Sequence, residues 1–320
     1  MKKYKYIVFC PYFGKLPNNI ELWIKSCSYN KEFKFIVFSN DKVDTNLPEN
    51  VQFEIMDFEQ FKNIIQSKFE FQISIPTPYK LCDFKTAYGY IFEDYLEESE
   101  YFGVCDMDVI FGNLSKYMPK TEYDKISIKA HLMLFKNTKK IREAFMISNT
   151  SAINYKDILS SPVHFGCDEI GDYGINNIFE KNGMTIYHYE SHVADISPKM
   201  NNMKISPIKD DKRKIKRVFS FENGKILSHD LYRGNISMKE YAYIHFQKRK
   251  MENHVNTNFI NKFIITFSSF ENYNTISKEY ILDHQPLYKV KYKNIKIRYD
   301  ALKRRINRKR EIGKIKKSKV

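Results

Sequence analysis

The sequence predicts an α/β layer fold built on a mostly parallel sheet, and two observations carry that expectation. Runs rich in Val, Ile, Phe and Tyr alternate with amphipathic stretches from Tyr4 to Phe69, so strands and helices take turns. Further on, the run Tyr101–Leu114 is apolar and aromatic on both sides of Asp106 and Asp108. A short apolar run reads as a buried strand. Asp is a poor strand residue, so the two acids mark the place where the strand gives way to a loop. Ligands of open α/β sheets gather at the carboxyl ends of strands. Two carboxylates this close repel each other unless a cation is near, and oxygen donors suit Mg²⁺ or Mn²⁺. A bare D-x-D also arises as a turn cap beside a solvated acid; the apolar setting distinguishes this one.

The elements follow in order. Tyr4–Cys10 reads as the first strand and Pro11–Asn19 as the loop after it. Ile20–Tyr29 has apolar residues at helical spacing. Phe33–Ser39 and Val51–Met56 are strands closed by Asn40-Asp41 and Asp57, and Phe58–Phe69 fits an amphipathic helix. Another helix is expected over Tyr79–Leu96, introduced by Pro76-Thr77-Pro78. On it Lys80, Asp83 and Phe84 share a face. Lys125–Ile128 and Leu132–Phe135 are short strands and Thr138–Ile147 a helix. The loop Val163–Glu169 opens a helix running to Lys181, with Asp168 at its N-cap. Met184–His188 is a strand, and Lys216–Glu222 with Lys225–Tyr232 form a hairpin across Asn223-Gly224. Tyr241–Phe246 is a late strand and Phe259–Phe270 a helix. The expected organisation is a body over residues 1–255, a helical extension over 256–288 and a basic tail over 289–320.

Composition bounds the function. A chain of 320 residues, 42% hydrophobic and 15% aromatic, can bury a sizeable core. The five cysteines (Cys10, Cys27, Cys82, Cys105, Cys167) are odd in number and lack C-x-x-C spacing, which argues against a disulfide framework and a zinc site. No stretch approaches ~18 consecutive apolar residues, so no transmembrane helix is expected. Tyr6–Cys10 is too short for a signal-peptide core, and the expected location is the cytoplasm. The net charge of +15 is unevenly placed. Residues 289–320 hold 15 Lys/Arg and 2 acids, whereas the preceding residues hold 38 bases and 36 acids. Such a tail suits an anionic membrane or a nucleic acid, or is simply solvated. The body has no nucleic-acid motif. The expected partner is therefore an anionic membrane surface, with the protein peripheral at its inner face and no nucleic acid bound.

Three blocks taken together carry a resemblance. They are Pro78-Tyr79-Lys80-Leu81-Cys82-Asp83-Phe84-Lys85, Cys105-Asp106-Met107-Asp108-Val109-Ile110-Phe111-Gly112 and Tyr243-Ile244-His245-Phe246-Gln247-Lys248-Arg249-Lys250-Met251. In this order they resemble the signature blocks of bacterial GT-A-type glycosyltransferases from capsular, exopolysaccharide and lipopolysaccharide clusters, which are similar to the DXD-motif sugar transferases. The resemblance spans about Tyr4 to Met251 and leaves out the tail. It implies a GT-A-like fold, a Rossmann-like mixed sheet flanked by helices. It also implies a nucleotide-sugar donor (a UDP-sugar first), a glycan or polyprenyl-linked acceptor, and Mn²⁺ or Mg²⁺. By the same resemblance Asp108 binds the metal, Asp106 the metal or the ribose, and His245 completes the metal site. Lys80 and Asp83 contact the nucleotide, and the loop Pro11, Tyr12, Phe13 and on to Lys15 borders the base.

The chemistry of these residue types agrees. A departing nucleoside diphosphate concentrates negative charge, which a divalent metal neutralises. Lys248 and Arg249 would add charge-assisted hydrogen bonds to it. The transferred sugar passes through an oxocarbenium-like state, and a carboxylate can take the acceptor's proton; Asp168 and Glu169 are the candidates. Each assignment has a structural alternative. Lys80 and Asp83 fit a surface ion pair, His245 a core histidine, Asp168 a helix cap, and Lys248 with Arg249 a solvated face; His131 reads as structural. Two other functions stay open: a nucleic-acid-binding protein with a basic C-terminal arm, and a metal-dependent phosphodiesterase or nucleotidyltransferase, which usually gathers more carboxylates.

Overall fold

A computed structural model describes residues 4–96, 98–149, 153–197, 203–206, 215–247, 249–286 and 291–319, with residues 291–298 described by their backbone. The chain begins β1 (Tyr6–Phe9), α1 (Ile20–Ser28), β2 (Phe33–Ser39), β3 (Val51–Ile55) and α2 (Phe58–Gln66). A 3₁₀ run (Pro78–Ala87) leads through α3 (Tyr88–Ile91) to β4 (Tyr101–Cys105) and β5 (Val109–Phe111). Next come β6 (Lys125–Ile126), β7 (Leu132–Lys136), α4 (Lys139–Arg142), α5 (Tyr155–Ser160), α6 (Ile175–Lys181), β8 (Ile186–Tyr187) and β9 (Val193–Asp195). The last part holds β10 (Lys216–Glu222), β11 (Lys225–Tyr232), β12 (Asn235–Tyr241), β13 (Tyr243–His245) and β14 (Glu252–Asn253). It ends with β15 (Lys262–Ile265), β16 (Ser269–Asn272), α7 (Lys278–Asp283) and α8 (Lys291–Ser318).

The fold is mixed α/β, as the alternation predicts. Seven strands form the main sheet in the order β3-β2-β1-β4-β7-β6-β8. β1 lies between β2 and β4 and is parallel to both, and β7 then runs antiparallel to β4. Successive residues of β1 point to opposite faces, and both faces are covered, as a buried parallel sheet requires. Tyr6 and Val8 pack with Trp23 of α1 and with β5 and β13, whereas Ile7 and Phe9 pack with Phe61 and Ile65 of α2 and with Phe84 and Tyr88. α1 forms because Leu22, Trp23, Ile24 and Cys27 fall on the side that faces the sheet. α2 is started by a capping box between Asp57 and Gln60.

The run Tyr101–Leu114 is split between two sheets. β4 belongs to the main sheet, whereas β5 leaves it for a three-stranded sheet in the order β5-β13-β9. The turn Asp106-Met107-Asp108 is the seam between them. A six-stranded sheet, β12-β11-β10-β15-β16-β14, closes that side.

Several expectations need correction. Phe259–Phe270, read as a helix, is the β15–β16 hairpin, with β15 antiparallel to β10. Its apolar run has no helical period, and pairing with β10 decides its conformation. Residues 256–288 are therefore not a helical extension, since they supply two strands before the short α7. Tyr79–Leu96 is 3₁₀ over most of its length. The helix expected from Asp168 starts only at Ile175, with Gly174 as its N-cap. The expected tail is mostly one helix, α8, which packs Ile312 and Ile315 against the body. Its first two residues, 289 and 290, lie outside the described residues. All five cysteines are free thiols. No described helix is long and apolar enough to cross a membrane.

Gly103 sits in β4 where a Cβ would lie 2.5 Å from Leu134 Cδ2 and 2.6 Å from the Met133 carbonyl oxygen. Gly103→Ala should therefore cost roughly 1–3 kcal/mol, read as a lower urea midpoint. An unchanged midpoint would show that β4 and β7 separate freely.

Candidate active site

The site follows from the topology. The chain goes from β1 to β2 and β3 on one side of the sheet and returns to β4 on the other, so strand order reverses between β1 and β4. A crevice opens at the carboxyl ends of strands at such a switch point. A cleft of about 960 Å³ lies there, lined by Phe9–Phe13 after β1 and by Val104–Asp108 after β4. The loop after β1 is tied down by two residues that follow β2. Gly14 N–H donates to Asn40 Oδ1 (2.7 Å) and Leu16 N–H to Asp41 Oδ2 (3.0 Å). Pro11, Tyr12 and Phe13 thus form one wall. Burial, and then the Asp108 charge, push the Tyr12 phenol up.

The floor carries the charged groups. Register places His245 of β13 opposite Val109 of β5 and Asp195 of β9, so Asp108, His245 and Asp195 are neighbours across the small sheet. His245 Nδ1 is 2.8 Å from Asp195 Oδ1, and its Nε2 is 3.3 Å from Asp108 Oδ1. Burial opposes charge on this imidazole, but hydrogen bonds to Asp108 and Asp195 outweigh it and raise its pKa to about 10. The His131 ring lies 4.2 Å from that of His245, and its Nδ1 is 2.8 Å from the Tyr243 hydroxyl. Burial, then the nearby cations, hold His131 well below its ordinary pKa, so it supports His245 as a neutral ring.

Asp106, Asp108 and His245 offer ligand atoms within 4.8 Å of one another. Two carboxylates and an imidazole are donors that Mn²⁺ or Mg²⁺ accepts. A carboxylate on the far nitrogen, here Asp195, is the arrangement that orients metal-bound histidines. The residues present are compatible with such an ion.

The lysine that reaches this floor is not the expected one. Lys80 and Asp83 are 2% and 0% exposed and lie outside the cleft lining. Lys80 Nζ donates to Asp83 Oδ2, Ile158 O and Val163 O, each at 2.8 Å. Asp83 also accepts from the N–H groups of Phe165, Gly166 and Cys167. The pair therefore pins the loop 163–167 from inside the protein. The reason is the 3₁₀ period of three residues per turn. It puts Tyr79, Cys82 and Lys85 on the cleft and turns Lys80 and Asp83 inward. Lys85 Nζ donates to Asp106 Oδ1 at 2.5 Å and to Ala130 O at 3.1 Å. Burial would lower its pKa, but Asp106 and its neighbours raise it well above the ordinary value. Burial also pushes the Cys82 thiol up to about 12, so it is no nucleophile at neutral pH.

Asp168 and Glu169 are not among the residues that line the cleft. Glu169 accepts from Ala130 N–H at 2.9 Å and faces Lys129 at 3.7 Å. Asp168 is 7% exposed, and burial pushes its carboxyl up to about 7. Arg249 does line the cleft, where Nη1 donates to Phe267 O (2.9 Å) and Nη2 to Ser197 O (3.2 Å), and burial lowers its pKa to about 10. Lys15 and Lys250 stand exposed on the same lining. Lys248 lies outside the described residues. Lys85 and Asp195 are the residues that sequence reasoning missed. Lys85 ended a block already singled out, and Asp195 closes the apolar pair Val193-Ala194 much as Asp106 closes β4.

The chain belongs to the family described as "Family of unknown function (DUF6625)", which matches residues 8–274. A search of curated proteins gave no match. Among solved structures the chain is similar to the apo-form glycosyltransferase GlyE of Streptococcus pneumoniae TIGR4. Identity there is 14% and the TM-score 0.33, over 59% of this chain and 46% of that one. A second structure of glycosyltransferase GlyE from the same organism is 13% identical with a TM-score of 0.27, over 62% of this chain and 56% of that one. The chain thus spans about half the length of both structures.

Two outcomes follow. Lys80→Ala leaves Asp83 buried without its cation and should cost roughly 3–5 kcal/mol of stability in urea unfolding; a loss near zero would mean the pair is solvated. The raised carboxyl of Asp168 makes the folded chain bind a proton more tightly than the unfolded chain. Its contribution is full below about pH 4 and is lost as pH rises through about 7. The fall in stability over that range should shrink in Asp168→Asn, and an equal fall would assign it to other groups.

Proposed function

We propose that this protein is a metal-dependent glycosyltransferase that moves a sugar from a nucleotide-diphosphate donor, a UDP-sugar first, to a saccharide or lipid-linked acceptor in surface-polysaccharide synthesis. The observation that carries the reading is the meeting of Asp106 and Asp108, on the floor of a cleft whose lining also holds Lys15, Lys85, Arg249 and Lys250, with His245 directly behind Asp108. The three signature blocks supply the remaining support, since each contributes side chains to this one cleft.

Mn²⁺ or Mg²⁺, held by Asp106, Asp108 and His245, would supply charge neutralisation for the diphosphate leaving group. Asp195 keeps the His245 Nε2 aimed at that position. Arg249 and Lys250 offer hydrogen bonds to phosphate oxygens as negative charge builds on them. The N-terminus of α1 opens beside Asn18 and Asn19 on the same lining and favours an anion there. Tyr12 offers an aromatic face beside Asp108 where a base or ribose can rest. Lys85 holds the Asp106 carboxylate in place before any ligand arrives. Among the described lining residues Asp106 and Asp108 are the only carboxylates, fewer than a phosphodiesterase of the paired-metal kind gathers.

The test is binding and slow hydrolysis of nucleotide sugars with Mn²⁺, with EDTA, and in Asp108→Ala. One UDP-sugar should be bound and cleaved with metal alone, and Asp108→Ala should lose the hydrolysis by roughly a hundredfold or more. If no nucleotide binds with or without metal, the reading fails.

A further inference from the structure

α8 has two unlike faces. Its inner face docks on the body: Arg308 Nη1 donates to Phe165 O at 2.5 Å, Glu311 accepts from the Ser161 hydroxyl at 3.1 Å, and Ile312 and Ile315 join the core. Arg304 lies over the ring of Tyr79, 5.7 Å from its centroid, and Tyr79 lines the cleft. The outer face carries a second apolar stripe, this one exposed. Tyr299, Leu302 and Ile306 are 63%, 54% and 41% exposed, and their spacing of three and four residues makes one stripe. Lys303, Arg305, Lys309 and Arg310 are exposed beside that stripe. None of these four is ion-paired among the described residues.

We propose that this outer face is a docking surface for an anionic lipid bilayer. An apolar stripe between two rows of cations matches the boundary where acyl chains meet negatively charged headgroups, and each part of the stripe finds its complement there. A nucleic acid would satisfy the cations but leave Leu302 and Ile306 in water. Because Arg304 of the same helix covers Tyr79, docking would bring the rim of the cleft to the membrane. The link to a lipid-borne acceptor rests on the transferase reading; the docking surface itself does not.

The test is cosedimentation of the full chain with phosphatidylcholine vesicles, with and without phosphatidylglycerol, at low and high salt. Binding should need the anionic lipid and weaken as salt rises. Leu302→Glu with Ile306→Glu should lower binding about tenfold or more, and Lys303→Gln with Lys309→Gln and Arg310→Gln should weaken binding to anionic vesicles at low salt and reduce its salt dependence. These side chains are exposed, so an unchanged melting temperature is expected. The proposal is overturned if anionic vesicles are not bound or if both variants bind as well as the parent. It is also overturned if the apolar variant instead dissolves a dimer seen by sedimentation velocity, or if duplex DNA competes while the apolar variant still binds vesicles fully. Donor hydrolysis should be unchanged in both variants, so failure on vesicles would leave the donor chemistry standing.

Discussion

Asp106 and Asp108 place two negative charges two residues apart at the bottom of a cleft, and much of the structure serves to make that arrangement tenable. At such separations, partly shielded from water, like charges raise each other's energy by several-fold more than in bulk solvent. Each acid is met by its own cation. Lys85 meets Asp106 and His245 meets Asp108, and Asp195 holds the imidazole from behind. The cations come from the 3₁₀ run and from β13, so neither lies near the acids in sequence. Bringing them together is what the split between β4 and β5 accomplishes.

The split also explains the small sheet. β5 leaves the main sheet at the Asp106–Asp108 turn and pairs with β13, which pairs with β9. Asn30 and Ser26 of the α1 region fasten the departing strand: Asn30 binds Gly112 O and Leu114 N, and Ser26 Oγ accepts from Phe111 N. The helix whose N-terminus opens on the cleft is therefore tied to the strand that carries Asp108. The groups that line the two walls share one buried framework.

The 3₁₀ run shows how a change of helical period redistributes roles among adjacent residues. With three residues per turn, one row faces the cleft, one row faces the loop 163–167, and one row (Leu81, Phe84, Ala87) enters the core. Lys80 and Lys85 are alike in composition and opposite in use. The first neutralises Asp83 inside the protein, and the second reaches the Asp106 carboxylate at the cleft floor.

Strands and helices with a clear period, from β1 through α2 and the β10–β11 hairpin, were legible in the sequence because local spacing and turn residues specify them. Asp106 and Asp108 stood out as well, because they interrupt an apolar run, whereas His245 was pointed to by the resemblance of the three blocks and not by any local pattern. Phe259–Phe270 was not legible, because an apolar run without a period takes its conformation from its neighbour β10. The inward turn of Lys80 and Asp83, the partnership of Lys85 with Asp106, and the place of Asp195 behind His245 were decided by tertiary structure alone. They are contacts between residues far apart in the chain, and spacing along a sequence carries no information about which strands will lie side by side. By itself the sequence determined the α/β layering and the pair of carboxylates at the end of an apolar run. Only the folded sheet, with its reversal of strand order between β1 and β4, decided where they meet.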